Sequence, residues 1–551
     1  NGGYVGAIVG NGFMKREFGK KFVEEVLPEQ QLTHLVDTSG AYIPGHGTPT
    51  VILFGRRWGN PERPPQTAVI AVMGKRGEPT SPDDPAQAEV WSSIRDHHRE
   101  IGYEDEYISV AEVERTRLSS HPWTLQGGGA SQLKAKLDQR SQKTLADFVK
   151  SIGPASFIGL DDVFIMPLRV IAGSARLPRE LLRPIVIGES VRDWSVECEE
   201  TALAPYSATG LPIDVSPADG WLRHLWPFRT TINAVVDFGG RTRGEAGEQF
   251  WHWYRWIPDR YRTPLSITFA FVSTHNHFVL DRGGKVFNRS APVIKLPEDA
   301  TEDDHLALLG YLNSSTACFW MKQVFYPKAS AIGDISVEKG KEEDNRYEFA
   351  GTGMLALPLP DEVSLQRLVS MARELDQLAR ERSECDPRTI IDGSWSTKAD
   401  LMASFESARL REQQILERMV ALQEHLDWMV YEMMGLTNVA AGQLPQALVR
   451  PEARPFMWDA DEAPAELPGE LRALYSMRRL ETARNKNIQL IETPVFKRPW
   501  AGQRGVFGHK VADFDDKIVQ ACASWLLDRI EGSLRNCGTK PVSVRTVAAS
   551  L

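Results

Sequence analysis

Four short apolar runs near the start of the chain constrain its fold more than any other feature of the sequence. They are YVGAIV (4–9), LTHLVD (32–37), TVILF (50–54) and TAVIAVM (67–73). Each has the length of one strand, and residues 13–27 between the first two runs carry helix-like spacing. Strand, helix, strand is typical of a doubly wound α/β sheet. The first run is continuously apolar and bounded by glycines, which predicts a strand buried in a parallel sheet.

A different composition begins at about residue 150 and continues to about residue 360. Short β-rich runs with aromatic residues dominate there, for example 266–280 (SITFAFVSTHNHFVL), and residues 303–323 form a strongly helical stretch. These features predict a mixed α/β region.

Long helices are predicted after that region. Residues 362–382 and 402–434 are rich in Leu, Glu, Arg, Gln and Met. In the second stretch, steps of four and three alternate along Ile415, Met419, Leu422, Leu426, Met429 and Met433. This spacing predicts either one amphipathic helix lying on its own domain or a two-helix spacer. Residues 437–470 are rich in proline, alanine and acid and predict a linker, and the remaining residues predict a small C-terminal module.

Composition excludes several classes of protein. The 551 residues carry a net charge of −9 and five scattered cysteines without a Cys-x-x-Cys pair, and no run of eighteen apolar residues occurs. These features argue against a membrane span, a disulfide framework and a structural zinc site, and they fit a reducing cytoplasm. The acidic balance excludes a protein that coats DNA by bulk charge, but not one with a local basic groove. Since the chain starts with Asn1 and runs at once into an apolar segment, we expect it to be part of a longer protein.

Residues 221–262 combine arginines with tryptophans. Arginine suits bidentate recognition of phosphates and guanine edges, and flat aromatic rings stack on bases. The alternative is that the tryptophans are core residues and the arginines a solvated face; for the cluster as a whole we favour DNA contact. The residues are Arg223, Arg229, Arg241, Arg243, Arg255, Arg260, Arg262, Trp221, Trp226, Trp251, Trp253 and Trp256.

Two smaller motifs are weaker signals. His275 and His277 lie in a strand-like run that predicts both imidazoles on one face, but no cysteine or carboxylate stands at ligand spacing, so we expect structural or polar contacts and no metal. Gly127–Gly129 lacks the downstream residues of a phosphate-binding loop and predicts a plain turn.

Eight segments, taken in order, resemble one family. Together they are similar to the adenine-specific DNA methyltransferases of the BREX phage-defence type, the PglX family, closest in register to the type 2 branch. Within the last segment, Pro499 stands where a second arginine is expected. The segments are GGYVGAIVGNGFMKR (2–16), HLVDTSG (34–40) with TPTVIL (48–53), RPIVIGESVRDW (183–194), HLALLGYLNSSTACFWMK (305–322), FAGTGMLALPLP (349–360), VALQEHLDWMVYEMMGL (420–436) and IQLIETPVFKRPW (488–500).

The resemblance implies a domain layout. It is the C-terminal part of a methyltransferase domain, a target recognition domain, a helical spacer, a linker and a C-terminal module. The sheet at the start would be a partial doubly wound methyltransferase sheet. The corresponding ranges are 1–125, 150–361, 362–436, 437–470 and 471–551.

The resemblance also implies an activity for the parent protein, which is methyl transfer from S-adenosylmethionine to an adenine amino group in double-stranded DNA. Other phage-defence proteins would be its partners. The family's glycine-containing cofactor motif and its Asn-Pro-Pro-Tyr or Asn-Pro-Pro-Phe motif do not occur in this sequence. We therefore assign no catalytic, cofactor or metal residue and expect this chain alone to be inactive. The expected DNA contacts are Arg223, Arg229, Arg241, Arg243 and Lys328.

Two alternatives remain open. A stand-alone DNA specificity subunit without catalysis would show two recognition domains related by an internal repeat, and no such repeat is visible. A fused restriction-modification enzyme would carry a nuclease motif upstream of these residues.

Overall fold

The computed structural model describes residues 3–45, 49–57, 67–78, 82–125, 127–167, 177–207, 210–214, 220–236, 239–325, 327–328, 345–443, 446–458, 463–498, 500, 512–536 and 541–550. Helices and short strands are mixed throughout them, so the predicted α/β class is confirmed. Among these residues, no helix is both long and apolar enough to cross a membrane.

Five strands at the start of the chain form one sheet. They are β1 (Tyr4–Gly10), β2 (Gln30–Asp37), β3 (Thr50–Arg57), β4 (Ala68–Gly74) and β5 (Ile108–Glu114). Their order is β1-β3-β2-β4-β5, and β2 with β4 is the parallel pair while the other neighbouring pairs are antiparallel. The four predicted strands are present, but these five strands do not form the predicted doubly wound parallel sheet. The described residues between β2 and β3 contain no helix, and a direct connection of that kind suits antiparallel neighbours.

Residues 13–27 do not form the predicted single helix. They fold into short 3-10 and π turns at Asn11–Met14, Glu17–Gly19, Phe22–Val26 and Leu27–Glu29. The chain doubles back so tightly that a Cβ on Gly19 would lie 1.8 Å from the carbonyl oxygen of Phe13. A regular helix does not bring residues 13 and 19 so close together. This close approach explains why glycine stands at position 19.

Strand β1 is an exposed edge strand, and the prediction that it is buried was wrong. It pairs with β3 on one side only, and Tyr4 and Ile8 are 76% and 60% exposed. A continuous apolar run shows that a strand can be buried, but it does not show how many neighbours the strand has. Edge strands that are long and apolar present unpaired backbone groups on which another strand can add.

Both faces of this sheet are covered. Helix α1 (Glu89–His97) packs Val90 and Ile94 against one face, over Val36 and Val72. The other face packs against the short turns and the buried ring of Trp123. The sheet therefore has two small cores of its own.

The region that follows is built from short strands. Two four-stranded sheets have the orders β17-β15-β19-β7 and β18-β10-β13-β9, and one three-stranded sheet has the order β16-β21-β20. The remaining strands pair as β11-β12, β14-β8 and β22-β6. The strands are β6 (Lys143–Thr144), β7 (Ser151–Gly153), β8 (Ser156–Phe157), β9 (Ile165–Pro167), β10 (Leu182–Val186), β11 (Val191–Arg192), β12 (Ser195–Val196), β13 (Glu200–Leu203), β14 (Arg255–Trp256), β15 (Ser266–Phe269), β16 (Val272–Ser273), β17 (Phe278–Asp281), β18 (Val286–Phe287), β19 (Val293–Lys295), β20 (Pro327–Lys328), β21 (Arg346–Glu348) and β22 (Pro358–Leu359).

The helices after α1 are short in the strand-rich region and long beyond it. The predicted helical stretches at 303–323, 362–382 and 402–434 are confirmed, each with a break or a shifted end. The helices are α2 (Ala130–Arg140), α3 (Asp161–Phe164), α4 (Leu222–Leu225), α5 (Arg229–Asn233), α6 (Glu302–Leu312), α7 (Ser315–Val324), α8 (Gly351–Met354), α9 (Glu362–Gln366), α10 (Val369–Glu384), α11 (Pro387–Ile391), α12 (Lys398–Met433), α13 (Gly469–Arg484), α14 (Lys486–Ile491), α15 (Phe514–Asn536) and α16 (Val544–Ser550).

One large core joins most of the chain after residue 130. Helices α6 and α7 lie at its centre, since nearly all of their side chains are buried. The second half of α12 is buried on all sides from Met419 to Trp428, so it is a core helix and not a coiled-coil seam. Described residues of 437–470, among them Val449 and Trp458, pack into the same core. The predicted boundaries between spacer, linker and C-terminal module stay predictions.

Candidate nucleic-acid interface

The arginine- and tryptophan-rich segment divides into a buried half and an exposed half. Trp221 and Trp253 are buried in a core of their own, together with Leu225 and Ile232. The ring of Trp256 is stacked between Tyr206 and Tyr261, with centroids 4.0 and 3.9 Å away. These rings are structural, as the alternative interpretation of the tryptophans predicts.

The exposed half is a helical turn that projects from this core, and we call Arg223, Trp226, Phe228 and Arg229 the exposed aromatic turn. Helix α4 and helix α5 are joined across it by a 3-10 turn that contains Pro227. Trp226 and Phe228 are 54% and 41% exposed. The guanidinium carbon of Arg229 lies 4.1 Å from the centroid of the Trp226 ring, which is a cation–π contact.

The five predicted DNA-contacting residues are thus placed differently. Arg223, Arg229 and Arg241 are exposed. Arg243 is buried, and its Nη2 donates to the backbone oxygens of Gln249 and His252, 3.2 and 2.7 Å away. Burial lowers the pKa of Arg243, and the nearby Tyr206 and Glu248 partly counteract this effect. Lys328 lies in strand β20, and its side chain is outside the described residues.

Arg243 therefore has a structural role. Its guanidinium holds the turn at 242–252 by donating to two carbonyl groups of that turn. Arg260 does the same elsewhere, since its guanidinium donates to the oxygens of Ile152 and Pro154. The sequence contains no signal that separates these two arginines from Arg223 and Arg229. The roles of Arg223, Arg229, Arg241, Arg243 and Lys328 as DNA contacts stay predictions.

A second feature was missed by the sequence reasoning, and it lies on the inside of the molecule. We call it the buried ionic cluster (Glu424, Asp427, Arg454, Glu492 and Lys497). The Nζ of Lys497 lies 2.8 Å from Glu424 and also contacts Glu492, while the Nε of Arg454 lies 2.8 Å from Glu424. All five side chains are at most 2% exposed. Buried charges are tolerated only when they are paired in this way.

Burial and ion pairing shift the pKa values of these carboxyl groups in opposite directions. Burial by itself would raise the pKa of Glu424, but Lys497, Arg454 and Arg478 outweigh it and lower the pKa to about 2. Burial dominates at Asp427 and raises its pKa, although Lys497 and Arg454 partly compensate. It also raises the pKa of Glu492, whose carboxylate accepts a hydrogen bond of 2.7 Å from Tyr431. Glu424 is therefore the permanent anion at the centre of the cluster.

The cluster continues into the strand-rich region through Arg498. Its guanidinium lies 3.0 Å from Asp193 and 3.3 Å from the side-chain oxygen of Gln423. The same oxygen of Gln423 accepts a hydrogen bond of 3.0 Å from the indole of Trp194. Asp193 and Trp194 have φ angles of 44° and 71°, a left-handed backbone that costs energy for residues other than glycine. These contacts hold that strained turn in place.

The two histidines of the His-x-His motif belong to the same assembly. They lie in the turn between β16 and β17, so the prediction that they belong to a strand was wrong. The Nε2 of His275 is 2.9 Å from the carbonyl oxygen of Pro494, and the Nδ1 of His277 is 3.3 Å from Arg498. Burial lowers the pKa of His277 to about 3, so this ring is neutral at pH 7. The motif is structural.

Four of the segments that carry the family resemblance thus meet at one buried polar network. They contribute Asp193 and Trp194, Ser315 and Lys322, Gln423 to Tyr431, and Glu492 to Arg498. The backbone N–H of Ser315 donates to Asp427 over 2.8 Å, and the Nζ of Lys322 donates to the carbonyl oxygen of Val495. A signal was present in the sequence, because the polar residues Gln423, Glu424, His425 and Asp427 interrupt an apolar helical run.

The sheet at the start of the chain is attached to the rest by Lys15. Its Nζ donates to the carbonyl oxygens of Lys322 and Phe325, 3.1 and 3.2 Å away, at the end of helix α7. Burial lowers the pKa of Lys15 to about 7, and the nearby Asp37 partly counteracts this effect. This basic residue follows the first strand in the segment that resembles the family.

The triple-glycine segment forms a tight turn, as predicted. Gly128 donates its N–H to the hydroxyl of Ser109. A Cβ on Gly127 would lie 2.6 Å from that hydroxyl and 2.8 Å from the side chain of Lys75. Because these side chains fill the turn, we assign no cofactor contact to it.

Comparison with known proteins identifies one relative by sequence. The chain is 34% identical over 568 aligned residues to an adenine-specific methyltransferase PglX from Streptomyces coelicolor, across 96% of this chain and 45% of the relative. The chain therefore spans about half the length of that relative. No protein-family model matches it.

Two solved structures align with the chain over 79% of its length. One is the type IIL restriction-modification enzyme MmeI in complex with DNA, with a TM-score of 0.41, 10% identity and 47% of that chain covered. The other is the type IIG restriction endonuclease BpuSI, with a TM-score of 0.28, 12% identity and 48% of that chain covered.

Proposed function

We propose that this chain, which belongs to the PglX family of adenine-specific methyltransferases over 96% of its own length and 45% of its relative's, is the DNA-recognition part of such an enzyme. The parent enzyme transfers the methyl group of S-adenosylmethionine to an adenine amino group in double-stranded DNA. It marks host DNA within a BREX-type phage-defence system. The recognition region lies between residues 150 and 361.

The observation that carries this proposal is the exposed aromatic turn. Arg223 and Arg229 are exposed beside Trp226 and Phe228, and within the described residues neither guanidinium forms an ion pair. A protein with a net charge of −9 needs such a local cationic surface to bind a polyanion. Arg241 lies on the neighbouring turn and extends this surface in the proposal.

The exposed edge strand supports the link to a methyltransferase. Strand β1 has an unpaired edge and apolar residues on both faces, which is what a sheet presents where further strands add. In the proposal, the strands that carry the family's cofactor and catalytic motifs continue the sheet beyond β1. Those motifs do not occur in the 551 residues, so in the proposal the chain alone transfers no methyl group.

The test is binding of the chain to duplex DNA across a salt series, with and without the arginines. We expect the double variant Arg223→Ala, Arg229→Ala to bind more weakly than the wild type, and the slope of log K against log salt to flatten by about 0.9 for each lost phosphate contact. Parallel incubations with S-adenosylmethionine measure methyl incorporation, which we expect only when the rest of the enzyme is present.

The control replaces two other exposed arginines that already have carboxylate partners. Arg373 pairs with Asp303, and the guanidinium of Arg450 lies 2.6 Å from Glu466. The variant Arg373→Ala, Arg450→Ala should leave both affinity and salt slope at the wild-type values. Equal losses in the two double variants, or no duplex binding by the wild-type chain, would contradict the proposal.

A further inference from the structure

The exposed aromatic turn holds its rings toward solvent on a rigid support. Leu222, Leu225 and Ile232 anchor the two short helices in the core below. The Nε2 of His224 lies 3.4 Å from the carbonyl oxygen of Val163 and ties the first helix down further. The apolar tip is thus a fixed feature of the fold and not the end of a free loop.

The Trp226 ring is also fixed in orientation. Arg229 lies over it, and the ring of Phe250 meets it edge-on with centroids 5.9 Å apart and planes at 74°. A side chain that is already ordered loses little conformational entropy when it binds. More than half of Trp226 nevertheless remains accessible to solvent.

The charge around the exposed aromatic turn indicates which class of partner binds it. Residues 220–236 contain two arginines and no aspartate or glutamate, although acidic residues outnumber basic ones in the chain as a whole. Val236 adds a further exposed apolar side chain at the end of the same stretch. Arginine flanking exposed aromatic rings is the combination that binds nucleic acid by stacking and phosphate contact together.

From this surface we infer that Trp226 and Phe228 form a wedge that stacks on bases at an opened base step of duplex DNA, while Arg223 and Arg229 bind the flanking phosphates. This inference rests on the proposed function and adds the way in which the DNA is held. Apolar side chains that enter between base pairs partly unstack them and bend the duplex. An enzyme that modifies a base must take that base out of the stack, and a wedge lowers the energy needed to do so.

The test uses a short duplex enriched from a random-sequence pool by the wild-type chain. Permanganate reacts with unstacked thymines and diethyl pyrocarbonate with unstacked purines, so the two reagents together detect an opened step wherever it lies in the duplex. We expect the wild-type chain to make one or two bases reactive. The variant Trp226→Ala, Phe228→Ala should abolish this reactivity and weaken binding by about tenfold or more. Trp226→Phe, which keeps a stacking ring, should retain most of both.

The control changes exposed apolar residues on another helix. Met477 and Leu480 lie on α13 and are exposed, so Met477→Ala, Leu480→Ala should leave reactivity and affinity unchanged. Thermal unfolding of all variants verifies that each remains folded.

The possible outcomes distinguish a failure of the wedge from a failure of the proposed function. Enrichment of a duplex whose binding and base reactivity do not depend on Trp226 and Phe228 would overturn the wedge and leave DNA recognition standing. Failure to enrich any duplex would overturn the proposed function itself. A change in the sedimentation of the protein alone in the alanine variant, with DNA binding intact, would identify the turn as a protein contact and also overturn the wedge.

Discussion

At the scale of single residues, burial decides what an arginine in the strand-rich region does. Arg223 and Arg243 occur in the same segment, yet one is exposed and the other is 3% exposed with carbonyl partners. A guanidinium in such a place acts as a fork that holds several backbone oxygens at fixed positions. Removing it takes away these hydrogen bonds and leaves a cavity at a buried position, whereas removing an exposed arginine costs little stability.

Substitutions of the two arginines should therefore differ in their effects on stability and on DNA binding. We predict that Arg243→Ala lowers the free energy of unfolding by about 1–3 kcal/mol, because the carbonyl oxygens of Gln249 and His252 lose the guanidinium that bonds to both of them. Arg223→Ala should change it by less than about 0.5 kcal/mol. Denaturant unfolding of the chain measures both values. A stability loss in Arg223→Ala with none in Arg243→Ala would show that the structural role has been placed on the wrong arginine.

At the scale of elements, helix α12 is held by charges as well as by apolar packing. The heptad spacing at Ile415–Met433 predicted a seam, but the helix carries Glu424 and Asp427 on its buried surface. Their cationic partners are Arg454 and Lys497, far along the chain. Local periodicity contains no information on such partners, which is why the helix was predictable and its surroundings were not.

Removing the lysine from the buried ionic cluster should therefore lower the free energy of unfolding strongly. We predict that Lys497→Met lowers the free energy of unfolding by about 3–5 kcal/mol, since it leaves Glu424 and Glu492 without their shared cation. Lys486→Met, at an exposed lysine of the neighbouring helix α14, should change it by less than about 0.5 kcal/mol. Similar unfolding midpoints for the two variants, read by circular dichroism in urea, would contradict this account of the cluster.

At the scale of the whole molecule, one core joins the strand-rich region, the long helices and the segment at 488–500. The strands β2 to β4 and the helices α6, α7, α10 and α12 were predictable because each is specified by a local pattern. The direction of pairing in the first sheet and the exposure of β1 were not, since both depend on which strands become neighbours. Likewise, the sequence showed the arginine and tryptophan cluster but not which members reach the surface.

The central claim is that this molecule recognises a DNA sequence, and selection from a pool of random duplexes tests it most directly. The wild-type chain should enrich one short asymmetric sequence and bind it at least about a thousandfold more tightly than random duplex at physiological salt. That result would establish DNA recognition by this chain. Equal retention of all duplexes, or no retention of any, would contradict it.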